Sequence, residues 1–461
     1  MDDYKTLGMR IRQFRIWLVI TIVPILFLAS CSMDNPVPDP MDNPVPDPMD
    51  NPADDLIAQI LNPQIAVFQA ADTQEERGFG YDVDISGNAV IAGTADTGDP
   101  GRESVYVFEW DGTEWLQAYN REVSPSEATA FGESVAISGN TAAFGQGGYE
   151  DSGHTPGFAH ILDRDSTGTW TATAGSISGT SGTDQRFGWD VAVDGSTVLV
   201  GSGYDIDIDL KGEGESDYYY LVQVLDSADA SINYYVPYPE IETSINHFGV
   251  ALAISGNTIA VGNVAATNQA ARFIINILGL PGADEKGSVY VYTSNSAGSW
   301  ADSTPAHISP NDLKIGDDFG TAIAADGAAL VVGAPGDSAD RGAVYVFGKS
   351  GGTWSAAPTA VLRAAGGADG DRFGHSVDVS GRVVIVGAPQ ADSAAGAVYV
   401  FYLKNGTWTE SKRIARNENG QADRAANNLF GNSVAIDGAA VIIGEPGYSN
   451  RNGRVHILNN N

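Results

Sequence analysis

From about Leu56 to the C-terminus, one arrangement of apolar and polar positions is written seven times. Aligned on a Phe-Gly pair, the units begin at Phe79, Phe131, Phe187, Phe248, Phe319, Phe373 and Phe430. The sixth is the clearest. Ser376 to Ser380 alternates polar and apolar, which predicts a half-buried strand, and Gly381-Arg382 makes a two-residue turn. Val383 to Val386 is a continuous apolar second strand closed by Gly387-Ala388-Pro389, and Gly396 to Phe401 is a third. Asn405-Gly406 then turns into a fourth strand that opens on Trp408 and runs through Ile414. Four strands, each pairing with its neighbour in sequence, form one blade, so the chain is predicted to be all-β: a seven-bladed β-propeller of four-stranded antiparallel blades.

A lone four-stranded meander cannot cover both of its apolar faces, and stacking around an axis covers each blade with the next. The aromatic of Phe-Gly is expected to fill the space between sheets. Trp115, Trp170, Trp300, Trp354 and Trp408 are read as core at the start of the fourth strand. The seventh unit stops after Leu458 without a fourth strand, whereas Gln64 to Phe68 reads as a strand with no blade of its own. This N-terminal strand is therefore expected to complete the last blade and close the ring.

Residues 1–30 read differently. Lys5, Arg10, Arg12 and Arg15 precede an apolar run from Ile16 to Ala29, the layout of a secretory signal and too short for a confident membrane span. Leu28-Ala29-Ser30-Cys31 resembles the lipobox of bacterial lipoproteins. That resemblance implies cleavage before Cys31, acylation of Cys31, and, with Ser32 following, delivery to the outer membrane. Residues 31–55 then carry Met-Asp-Asn-Pro-Val-Pro-Asp-Pro twice over, beginning at Met33 and Met41. Proline at this density fixes φ and removes amide donors, so an extended tether reaching on the order of 70 Å is expected between lipid and propeller. The propeller itself occupies residues 56–461.

The Phe-Gly pairs, Val332-Gly-Ala-Pro335, Val386-Gly-Ala-Pro389 and the Gly-Ala-Val-Tyr-Val-Phe runs from Gly342 and Gly396 resemble the FG-GAP repeats of integrin α-like propellers. The resemblance implies the propeller fold and a binding scaffold. It would also imply calcium in an Asp-rich loop between the first two strands, but here that connection is a tight turn such as Ser86-Gly87-Asn88. Six or more oxygens cannot wrap an ion from two residues, so those sites are not carried over and no cofactor is expected. Asp205, Asp207 and Asp209 place carboxylates on one face of an extended segment and form a candidate cation edge, although Leu210 stands where a calcium loop needs Gly.

The 461 residues carry 58 acidic and 25 basic side chains, a net charge of −33 without a basic stripe, which argues against nucleic acid as a partner. No nucleophile elbow, zinc-helix or phosphate-loop motif is present, and Cys31 is the single cysteine. His375 follows a Phe-Gly at a position where other units carry Tyr81, Glu133, Trp189, Val250, Thr321 and Asn432, which reads as tolerance of any side chain. The fourth unit carries an insert from Asn263 to Lys286 with helical apolar spacing, and its Arg272, Phe273, Ile274 and Asn276 are candidate contact residues. The expected function is a non-catalytic, surface-tethered module that binds a protein or glycan. The alternatives are a periplasm-facing assembly scaffold and a glycan-acting enzyme at the propeller axis, which convergence of carboxylates or histidines there would favour.

Overall fold

The computed structural model describes residues 59–60, 64–69, 78–94, 103–122, 131–147, 157–173, 177–178, 187–202, 222–227, 232–236, 246–265, 286–296, 298–415 and 427–459. These form seven antiparallel sheets around one axis. Blade 1 is β2 (Val83–Ser86), β3 (Ala89–Gly93), β4 (Ser104–Trp110) and β5 (Trp115–Glu122). Blade 2 holds β6 (Phe131–Ser138) to β10 (Ile177–Ser178), with its outer strand in two pieces. Blade 3 spans β11 (Phe187–Asp194) to β14 (Ile232–Tyr235), and blade 4 spans β15 (Asn246–Ser255) to β18 (Ala306–Ile308). Blade 5 runs from β19 (Ile323–Asp326) to β23 (Ala360–Leu362), again with a divided outer strand. Blade 6 holds β24 (Ser376–Ser380), β25 (Val383–Ala388), β26 (Ala397–Lys404) and β27 (Thr407–Ala415).

Blade 7 is made from both ends of the body. Its inner strands are β28 (Val434–Asp437), β29 (Ala440–Glu445) and β30 (Arg454–Asn459), and its outer strand is β1 (Gln64–Phe68). β1 pairs antiparallel with β30 over five residues, from Gln64 opposite Asn459 to Phe68 opposite Val455. The ring is thus closed by the strand that the truncated seventh unit lacked. Just upstream, Ile60 is fully buried among apolar residues of blades 6 and 7, so the approach to β1 is anchored as well.

The core consists of seven apolar clusters, one at each seam between consecutive blades. The alternation along each first strand explains this. Val83 and Ile85 point back into the seam with blade 7, where Ala435, Ile442 and Ile457 receive them, while Asp82 and Asp84 reach toward blade 2. The Phe of every Phe-Gly is buried in its seam, and Phe79, Phe319 and Phe373 each meet a third-strand tyrosine edge-on at 5.3–5.4 Å. Trp170, Trp300 and Trp354 are buried as expected, whereas Trp115 and Trp408 are half-buried at the rim.

The repeat's motif glycines have a common cause. A Cβ on Gly333 would fall on the carbonyl of Gly374 in the next blade, and one on Gly342 would fall on that of Phe373. Gly342 and Phe373 are joined there by a parallel backbone bridge, as are Gly396 and Phe430, and Phe79 and Gly453 across the closing seam. The Phe-Gly and Gly-Ala-Pro elements are therefore the two sides of one backbone-to-backbone contact between neighbouring blades.

Candidate functional site at the propeller axis

The first strands of all seven blades surround a channel of about 710 Å³. Each runs from a Phe-Gly pair at one face to a two-residue turn at the other. In every blade the turn's first central residue is a glycine with φ near +57 to +60°, or +56° at Gly381, and the second has no positive φ, the type II′ pattern of tight hairpins. The Ser or Asp opening each turn accepts a hydrogen bond from the turn glycine N–H of the next blade, at 2.6–3.2 Å. Seven such bonds form a complete circle, the last from Gly87 of blade 1 to Asp437 of blade 7. The position that would begin a calcium loop in an integrin-type blade is used here to fasten one blade to its neighbour.

Higher in the channel, the exposed edge of each first strand presents N–H groups that no further strand pairs. Side chains from the preceding blade take several of them. Asp82 accepts from Val135 N–H at 2.7 Å and from the Ser433 hydroxyl at 2.7 Å. Asp84 accepts from Ile137 N–H, Asp190 from Leu252 N–H and Asp378 from Ile436 N–H, all at 2.6–2.7 Å. Burial nevertheless dominates, because a carboxylate loses more by leaving water than these amides return. It pushes Asp82 up to about 6 and both Asp190 and Asp378 up to about 7, while Asp84 is raised well above the ordinary range by burial and then by the charge of Asp378. In five blades the position of Asp84 and Asp378 is an alanine: Ala136, Ala192, Ala253, Ala324 and Ala435.

These shifts fix the sign of a pH effect. A carboxyl that holds its proton more tightly folded than unfolded contributes stability that is fully present below its unfolded value, near 3.8, and lost as pH rises through its folded value. The unfolding midpoint is expected to rise as pH falls from 8 to 5, through the 6–7 window of Asp82, Asp190 and Asp378. Acidification also relieves the general repulsion of a −33 chain, so the comparison that isolates the channel is with D84A/D378A. That variant is expected to show a flatter midpoint-versus-pH curve by urea unfolding, and an unchanged slope would refute the assignment.

At the Phe-Gly face, the residues following each pair converge on the channel mouth: Tyr81, Glu133, Trp189, Val250, Thr321, His375 and Asn432. The variety expected of a tolerant position has a consequence in the ring: the seven dissimilar side chains make one composite surface. Tyr81 and Trp189 remain 37% and 38% exposed, among the few large apolar groups that do. Burial, then Glu133 and Asp82, push the Tyr81 hydroxyl up to about 12. Burial, then the charge of Arg372, push His375 down to about 4, so its ring is neutral, and its buried Nδ1 has no hydrogen-bond partner.

The remaining sequence candidates, Cys31, Asp205, Asp207, Asp209, Arg272, Phe273, Ile274 and Asn276, lie outside the described residues. The axial carboxylates were missed as a group because each looks like an ordinary polar position of an alternating strand. The usable signal was that equivalent positions in a closed ring face one axis, so a polar residue in one blade meets polar residues of blades far away in sequence.

Fold and site together define a seven-bladed β-propeller carrying an axial channel, and part of the chain matches a known repeat family. Residues 303–347 and 357–401 match the family model described as FG-GAP repeat. No curated protein sequence matches the chain. Similar solved structures include the β-propeller domain of the trilobed protease from Pyrococcus furiosus, at 11% identity and a TM-score of 0.46, covering 82% of this chain and 95% of that one. A study of two prolyl endopeptidases supplies another, at 14% identity and a TM-score of 0.47, covering 88% of this chain and 48% of that one.

Proposed function

We propose that this protein is a non-catalytic interaction module, tethered to the outer membrane through a lipid on Cys31, that binds a protein or glycan ligand at the Phe-Gly face of the propeller. The observation that carries the reading is the channel mouth. A scaffold repeated seven times places seven unlike residues, two of them exposed aromatics, around a single opening. Exposed aromatics beside hydrogen-bonding groups are the usual composition of a recognition surface. The signal-like N-terminus and the proline-rich tether support display of that face away from a membrane.

The test is binding of the purified body to intact cells, to glycan arrays and to isolated envelope proteins. Binding to one of the three is expected, with loss of at least about tenfold in affinity for Y81A/W189A. Absence of binding to all three would overturn the reading. Protease treatment of intact cells separates an outward-facing module, which is cut, from a periplasm-facing assembly scaffold, which is not. A second reading, a glycan-acting enzyme at the axis, draws on the convergence of Asp84 and Asp378, carboxyls that burial raises above the ordinary carboxylate range in the manner of a general acid. Against it, one oxygen of each already accepts the N–H of the neighbouring blade. Release of reducing sugar from envelope glycans, abolished in D84N or D378N, would favour the enzyme.

A further inference from the structure

The inner edges of the seven first strands are not alike. Beside each two-residue turn, the ladder leaves two residues per strand whose N–H and C=O groups point away from the second strand and toward the axis. In blade 5 these are Ala325, opposite Leu330, and Ile323, opposite Val332 of β20 (Ala329–Ala334). In the other six blades an Asp or Ser side chain accepts from at least one of the two amides. Both are taken in blade 1, Val83 by Ser433 at 3.1 Å and Ile85 by Asp84 at 2.8 Å, and both in blade 2, by Asp82 and Asp84. In blades 3, 4, 6 and 7 one is taken, by Ser134, Asp190 or Asp378. Among the described residues nothing accepts from Ile323 or Ala325. The cause lies in the residue types: the positions that supply these acceptors are Ala251 and Ala253 in blade 4 and Ala322 and Ala324 in blade 5, and a methyl group has no lone pair. The edge is also less covered than its counterparts. Ile323 and Ala325 are half-buried, whereas Val83 and Ile85 are 3% and 5% exposed.

We propose that the inner edge of β19 is a peptide-binding site, at which an extended segment of a partner protein enters the channel from the Phe-Gly face and adds to blade 5 as an innermost strand. This rests on the reading of the Phe-Gly face as the binding face and names the partner admitted there as a protein. An uncovered edge whose N–H and C=O groups recur at every second residue is matched group for group by another extended backbone. In the other blades Asp or Ser already occupies at least one of the positions that an added strand would take, so blade 5 is where such a segment pairs. The channel has room for it. It follows the first strands over their length, six residues from Tyr81 to Ser86 in blade 1, or about 20 Å at ~3.3 Å per residue. A strand about 4.8 Å from β19 would meet nothing larger than a methyl group at Ala322 and Ala324. No lysine or arginine lines the channel, so an Asp or Glu of the segment would find no cation there. The segment is therefore expected to carry small, non-acidic side chains.

The experiment titrates the full chain with the peptide acetyl-Thr-Ala-Ser-Ala-Thr-Ala-amide, with the same peptide N-methylated at every residue, and with maltohexaose, reading binding by calorimetry and backbone amide exchange by NMR. The first peptide is expected to bind saturably at one site and to slow exchange of the Ile323 and Ala325 amides at least about tenfold. The N-methylated peptide, which has lost its backbone donors, is expected to do neither. A324D places in blade 5 the side chain that caps the edge in blades 1 and 6, and is expected to weaken binding at least about tenfold. A192D, which puts the same group into the channel two blades away, is expected to bind within about threefold of the parent. The exchange measurement is made on the unsubstituted protein, so the result does not depend on either variant's folding. Equal loss in A324D and A192D would reduce the effect to obstruction of the channel and overturn the proposal. Binding without protection of those two amides, equal binding of the N-methylated peptide, or no saturable binding of the first peptide would overturn it as well. Saturable binding of maltohexaose in place of the peptide would give the channel to a glycan and refute the strand site. Should cell or envelope binding depend on Tyr81 and Trp189 while the peptide does not bind, the strand site falls and the interaction module stands.

Discussion

Deletion of residues 56–70 is expected to lower the stability of the propeller by on the order of 5 kcal/mol or more, and its melting temperature by roughly 5–10 °C. β1 is the outer strand of blade 7, and its five-residue pairing with β30 joins the N-terminal end of the body to its C-terminal end. Without it, β30 becomes an exposed edge and the apolar seam beneath loses Ile60, which is fully buried among residues of blades 6 and 7. The loss should be local at first. Hydrogen exchange is expected to accelerate in β30 and β29 before it does so in blades 3 and 4, because closure holds the two ends of a ring whose other seams are continuous chain. A synthetic peptide of residues 56–70 added in excess is expected to restore the melting temperature by adding a strand to that edge. An unchanged melting temperature in the deleted protein, or exchange accelerated uniformly, would show that the ring closes by the other seams alone.

Most of the architecture could be read from the residues themselves. Blade 6 appears within two residues of its expected strand limits, except that its third strand runs three residues further, to Lys404, and β1 has the limits expected of it, Gln64 to Phe68, because period-two alternation and Gly-containing turns are local signals. Asp84 and Asp378 illustrate what was not legible. In the chain they are separated by nearly the whole ring and each sits in an unremarkable polar slot of an alternating strand. Only closure brings the charge of one to bear on the other. Trp189 and His375 were hidden for a related reason: comparison between units discards the positions where units differ, and those are the positions that face the mouth. The motif glycines were legible as glycines, but their cause, a carbonyl in the following blade, belongs to a contact between units and not to any one of them.

That contact yields the second large effect. Gly333→Ala is expected to destabilise the propeller by about 4 kcal/mol or more, close to the limit for a single substitution, although it adds one methyl group to a strand residue. The added carbon would meet the carbonyl carbon and oxygen of Gly374, which are backbone and cannot rotate away, so blades 5 and 6 must separate. Two companions divide the cause. Gly381 has φ of +56° in an open turn with nothing near its missing Cβ, so Gly381→Ala is charged only with the positive φ of a type II′ first position, about 1–3 kcal/mol. Gly348 has neither a positive φ nor a close backbone neighbour, its nearest contact being the Thr359 methyl at 3.4 Å, and Gly348→Ala is expected to fall within about 1 kcal/mol of the parent, on the stabilising side. Urea unfolding of the three variants measures the order Gly333, Gly381, Gly348. Since every blade places the equivalent glycine against the Phe-Gly carbonyl of its successor, Gly93 against Gly132 and Gly444 against Gly80 among them, the same cost is expected at each seam. If Gly333→Ala cost no more than Gly381→Ala, the repeat's glycines would be there for backbone freedom; the predicted excess assigns them to the spacing between blades, and through it to the width of the channel that those blades surround.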